Sequence, residues 1–99
     1  MDTHIEYRVQ LGYNYKIVKK DGVLFEAVQW NRNPSPDIDN LIGMTFLSDD
    51  GKCLKFIGEG GKPQYLVEND WAVVKYENDE GWTAVPNNIF LSEFNEIII

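Results

Sequence analysis

The sequence predicts an α+β fold that is mostly β: one twisted antiparallel sheet of about six or seven short strands, covered by one or two short helices. Three observations predict it. Apolar and polar residues alternate with period 2 through Tyr13–Lys19, Lys52–Ile57 and Trp71–Tyr76. Turn residues punctuate these runs, with Asp-Gly pairs at Asp21-Gly22 and Asp50-Gly51. Only two stretches, Pro36–Ile42 and Ile89–Ile97, carry the i, i+3 or i+4 apolar spacing of a helix.

At the N-terminus Ile5, Tyr7 and Val9 alternate with Glu6, Arg8 and Gln10, which predicts an edge strand or arm over residues 1–12 and a core over 13–99. Tyr13–Lys19 and Val23–Trp30 then form a hairpin about Asp21-Gly22. Both faces of VLFEAVQW are largely apolar, so that strand is interior and Glu26 needs a partner or a wet edge. Ser35 followed by Pro36 and Asp37 opens a helix that Gly43 closes. Met44–Leu47 and Lys52–Ile57 make a second hairpin about Ser48–Gly51, and Gly58–Pro63 reads as a flexible connection. Tyr65–Val67 and Trp71–Tyr76 flank the turn Glu68-Asn69-Asp70 as the organising hairpin, with Trp71–Tyr76 the central strand. A short last strand, Trp82–Val85, ends at Pro86. Asn87 or Asn88 then caps a helix whose face is Phe90, Phe94 and Ile97.

With 99 residues the chain is one domain, and 43% hydrophobic residues give it material for a core. Net charge is −7, which disfavours direct nucleic-acid binding and anionic membranes. The single cysteine, Cys53, suits a reducing compartment, and no apolar run reaches the roughly 20 residues of a membrane span. The expected location is the cytoplasm.

Catalytic chemistry finds little support. His4 is the only histidine, so neither a Ser-His or Cys-His pair nor a zinc site is built. Asp49-Asp50-Gly51 and Asp70 read as turn residues, since no calcium-loop spacing surrounds them. Gly58–Lys62 lacks the Ser or Thr of a phosphate loop, and Pro63 stands in its place. No enzyme, cofactor or metal is expected.

Four stretches resemble a family of small bacteriophage proteins without an assigned activity. They are Phe25-Glu26-Ala27-Val28-Gln29-Trp30, Leu41-Ile42-Gly43, Val67-Glu68-Asn69-Asp70-Trp71, and Pro86-Asn87-Asn88-Ile89-Phe90 followed by Phe94. The family has an EAxQW strand, a Gly-Asp-aromatic turn and a Pro-x-x-Phe ending, and the likeness spans Tyr15–Ile97. This chain departs from it at Asn69, where the family has Gly, and in its N-terminal strand. The resemblance implies a phage origin, with the host cytoplasm as location, and brings no catalytic residue with it.

Two features suggest binding. The acids Glu68, Asp70, Glu77, Asp79 and Glu80 surround one predicted strand and its turns. Gathered into one patch they would mimic nucleic-acid phosphates and block the groove of a basic, nucleic-acid-binding host protein. Alternatively, Trp30, Trp71 and Trp82, with Arg32 and Lys62 in neighbouring loops, would stack on and neutralise a small nucleotide. The bland alternatives are a solvated rim for the acids and core packing for the tryptophans. The leading expectation is a counter-defence protein that inhibits a host immune component. A sponge for a nucleotide immune signal and a structural or assembly accessory are the alternatives. Self-association as a two-fold dimer is expected from the aromatic content and the apolar tail Ile97-Ile98-Ile99.

Overall fold

The computed structural model describes residues 15–31, 41–76 and 81–97. Among them eight strands form two antiparallel sheets rather than the single sheet expected. β1 (Tyr15–Lys20) and β2 (Val23–Gln29) make the first hairpin. Asp21 (φ 51°) and Gly22 (φ 80°) are both left-handed, as a type I′ turn requires. β3 (Thr45–Leu47), β4 (Cys53–Ile57) and β5 (Pro63–Val67) form a three-stranded meander. β6 (Trp71–Lys75), β7 (Thr83–Val85), the helix α1 (Asn87–Glu93) and β8 (Asn95–Glu96) follow. The five-stranded sheet has the order β7-β6-β2-β1-β8, so β6 is interior and β2 takes the middle. The expected strand Ile5–Gln10 lies outside the described residues, as does most of the Pro36–Ile42 helix; its last two residues, Leu41 and Ile42, are helical.

β5 and β6 do not pair as a hairpin. β5 pairs with β4 and β6 with β2, so the Glu68-Asn69-Asp70 turn carries the chain from one sheet to the other. Asn69 takes φ 75°, which Asn tolerates better than most residues. The turn is tied to the end of β2: Trp30 N–H donates to Asp70 O (2.9 Å) and Asn69 N–H to Trp30 O (2.8 Å).

The segment after β4, expected as a flexible connection, is a hydrogen-bonded 3₁₀-type turn, Glu59–Gly61, kinked at left-handed Gly60 (φ 68°). Gly58 N–H donates to Lys62 O (2.8 Å), and Glu59 N–H reaches across to Trp82 O (3.1 Å). Ala84 N–H donates to the side-chain oxygen of Gln64 (3.1 Å). These bonds seal the outer edge of β7 against the second sheet, which is why so short an edge strand persists.

The final helix is shorter than its apolar spacing predicts. It spans Asn87–Glu93, Phe94 is extended, and Asn95–Glu96 add a strand to the free edge of β1. Ile97 N–H donates to Ile17 O (2.8 Å). A seven-residue helix has little cooperativity of its own, so pairing with an open edge outcompetes further turns.

The core has two main layers. Val28, Trp30, Ala72 and Val74 on one face of the five-stranded sheet meet Leu54, Phe56 and Leu66 of the three-stranded sheet. On the other face Val18, Ala27, Trp71 and Val73 pack under Phe90 of α1. The period-2 alternation of β6 thus feeds both layers at once. No helix among the described residues is long and apolar enough to cross a membrane.

Candidate functional site

The sequence-predicted aromatic pocket does not assemble. Trp30, Trp71 and Trp82 are 1%, 2% and 9% exposed, so all three are core residues. They also lie apart: Trp30 and Trp82 sit between the sheets, while Trp71 faces α1 on the opposite side of the five-stranded sheet. Trp71 stacks on Phe90 (centroids 4.0 Å apart), and its Nε1–H donates to Asn87 Oδ1 (2.9 Å). Trp30 Nε1 has no hydrogen-bond partner among the described residues. Lys62 is exposed ahead of β5, whereas Trp30 is bonded to the turn that follows β5, so the strand separates them. Arg32 lies outside the described residues.

Of the acids expected to form one patch, Glu68 is exposed at the turn before β6 and Asp70 is half-buried beside it, while Glu77, Asp79 and Glu80 lie outside the described residues. Asp70 is also engaged internally. Its Oδ2 accepts Val67 N–H (3.1 Å), and its Oδ1 accepts Asn87 N–H (3.2 Å) at the start of α1. The capping role expected of Asn87 or Asn88 therefore falls to Asp70: Pro86 holds the cap position, and Asn87 instead receives the Trp71 indole.

Glu26 is 6% exposed in the middle strand, and it meets its requirement for a partner by accepting a 2.6 Å bond from the Tyr15 hydroxyl. A hollow of about 230 Å³ is lined by Phe25, Val73, Val85 and Phe94 together with Lys20 and Lys75. That is below the roughly 300–1,000 Å³ of small-molecule sites. Lys20 is already committed to Glu93 (3.1 Å) and to the Phe94 ring (5.3 Å). Among the described residues no three His, Cys, Asp or Glu side chains converge to hold a metal ion.

The feature that stands out is the outer face of the β3–β4–β5 sheet. Leu54, Phe56 and Leu66 point inward, so alternation turns Cys53, Lys55 and Ile57 of β4 outward, with Pro63, Tyr65 and Val67 of β5 and Phe46 of β3. Phe46, Ile57, Tyr65 and Val67 keep 51–56% of their surface exposed, and Met44, just before β3, keeps 70%. At roughly 150–250 Å² per large side chain these five leave on the order of 500 Å² of apolar surface in water. That matches the largest, often functional, patches of soluble monomers, roughly 300–600 Å². The alternation in Lys52–Ile57 signals this face, but its apolar outer row looks like a second core face in the sequence. Only the placement of both partner strands shows that nothing in the described chain covers it.

No family model matches the chain, and no curated protein and no solved structure matches it.

Proposed function

We propose that this is a non-catalytic binding protein that docks a protein partner on the outer face of the β3–β4–β5 sheet. The observation that carries the reading is that face itself: four large apolar side chains, each half exposed or more, on one side of one three-stranded sheet, with exposed Met44 just before it. Burial of such a surface drives association, and a standard interface needs about 800 Å² per partner, which the patch and its polar rim approach. The likeness to small bacteriophage proteins supports a partner from the host, and inhibition of a host defence component is the role it would serve. The acidic residues then contribute steering rather than a docking face, and they act mainly on the association rate.

Two sets of substitutions test the assignment. In the first, Phe46→Ser and Tyr65→Ser are combined; in the second, Glu77→Gln, Asp79→Asn and Glu80→Gln. The first set is expected to abolish retention of a host protein captured by the native chain while leaving the thermal unfolding transition in place. The second is expected to slow association and flatten its salt dependence with retention preserved. Retention that survives the first set and vanishes with the second would move the site to the acidic segment.

A further inference from the structure

The docking face has a charged centre. β3, β4 and β5 contain no Asp or Glu, and Lys55 is their only charged residue. The register places Phe46 on one side of Lys55 and Tyr65 on the other, in a single row across the three strands. Both flanking rings are half exposed. Lys55 itself is half-buried, and no carboxylate among the described residues pairs with it. The acids nearest in sequence turn elsewhere. Asp50 Oδ1 accepts Ser48 Oγ–H (2.6 Å) and Lys52 N–H (3.0 Å) within the β3–β4 turn, and Glu59 accepts from the Thr83 hydroxyl (3.3 Å) at the seam with β7.

A partner that covered this face with apolar groups alone would strip water from an ammonium and return nothing, a large penalty. We infer that the partner presents one carboxylate set within an apolar surface, seated on Lys55 between Phe46 and Tyr65. This rests on the reading of the face as a docking surface. Desolvation by the surrounding apolar row strengthens the pair, because the effective dielectric falls when water leaves. The net charge of −7 adds a second condition. A strongly acidic partner would be repelled at long range, so the carboxylate belongs to a surface that is otherwise neutral or basic. A second copy of this chain does not meet these conditions. Two such faces stacked about a two-fold axis bring Lys55 toward Lys55, with no carboxylate on either set of strands and like net charges behind them.

The test is selection from a random peptide library displayed on yeast, with the full native chain, Lys55→Glu and Phe46→Ser/Tyr65→Ser as separate baits. Lys55 points outward, and circular dichroism of each bait checks that its fold is kept. The native chain is expected to enrich peptides with one Asp or Glu flanked by apolar residues. Lys55→Glu is expected to enrich Lys- or Arg-centred peptides instead. Enriched native-binding peptides should bind Lys55→Met about 30-fold more weakly or worse, as when one partner of a buried charge pair is truncated. Apolar peptides without a carboxylate, enriched equally by the native chain and Lys55→Glu, would overturn the role of Lys55 and leave the docking face standing. Peptides that bind Phe46→Ser/Tyr65→Ser as well as the native chain would overturn the face itself, as would an empty selection. Sedimentation of the native chain as a dimer that Tyr65→Asp dissociates would assign the face to a second copy and overturn the inference.

Discussion

Two tryptophans of equal burial have opposite polar circumstances, and that makes them a matched pair. Trp71 Nε1 is satisfied by Asn87, while Trp30 Nε1 is buried with no partner among the described residues. Trp→Phe removes a similar volume at either site, so the difference between the two variants reports the indole N–H. At position 71 it leaves Asn87 Oδ1 unpaired; at position 30 it removes an unsatisfied donor. Trp71→Phe is therefore expected to destabilise by about 2 kcal/mol more than Trp30→Phe in urea unfolding, the scale of one buried polar group left unmade. Asp70 is a second case in which chemistry that reads as functional is structural. It accepts from Val67 and from the first residue of α1, so Asp70→Ala frees two backbone N–H groups and should lower stability by about 2 kcal/mol. Asp70→Asn keeps one acceptor and should lose about half as much. A turn acid three residues from a strand of the other sheet is indistinguishable, in sequence, from a surface carboxylate. One of the donors it serves, the Asn87 N–H, lies 17 residues away.

The elements themselves were legible wherever the determinant is local. Asp21-Gly22 sets the β1–β2 register through its own backbone angles, and the β3–β4 hairpin follows from Ser48–Gly51 in the same way. The misread elements are those decided by distant partners. Phe90, Phe94 and Ile97 have helical spacing, yet only Phe90 and Phe94 share a cluster. Ile97 packs with Tyr15 and Ile17 after the chain has joined the edge of β1. Gly58–Pro63 looks flexible from its three glycines. It is a hydrogen-bonded turn because Gly58 and Gly81 let it lie against the Trp82–Thr83 backbone. A Cβ on Gly58 would run into the Trp82 carbonyl oxygen. On Gly81 it would meet Glu59 Cα at 2.8 Å, at a residue that already holds φ 103°. Neither neighbour is a movable side-chain tip. Gly58→Ala is thus expected to destabilise by about 3 kcal/mol or more, read as a drop in the denaturant midpoint, with the β7 edge opening first in hydrogen exchange. An unchanged midpoint would show that the seam is looser than its hydrogen bonds imply.

At the scale of the whole molecule, stability depends on the five-stranded sheet being covered on both sides. Val74 lies in the layer between the sheets, where an Asp would be buried among Leu54, Phe56 and Trp82 without a cation. Val74→Asp should cost about 3–5 kcal/mol, and a cooperative melt within a degree or two of the native chain would contradict the sandwich. The docking face, by contrast, lies on the far side of the three-stranded sheet, so its substitution is expected to leave the melt in place. The sheet that carries it is made from one uninterrupted stretch, Thr45–Val67, spliced between two neighbouring strands, β2 and β6, whose adjoining ends are clasped at Trp30 and Asp70. In the vocabulary of lineage rather than of mechanics, that stretch is a cassette. Trp30 and Asp70, which bracket it in the sequence, are hydrogen-bonded neighbours, so replacing the segment between them as a unit would change the proposed docking face while leaving β2 and β6 in register. Outright loss is barred, since Val28, Ala72 and Val74 would be stripped of their cover.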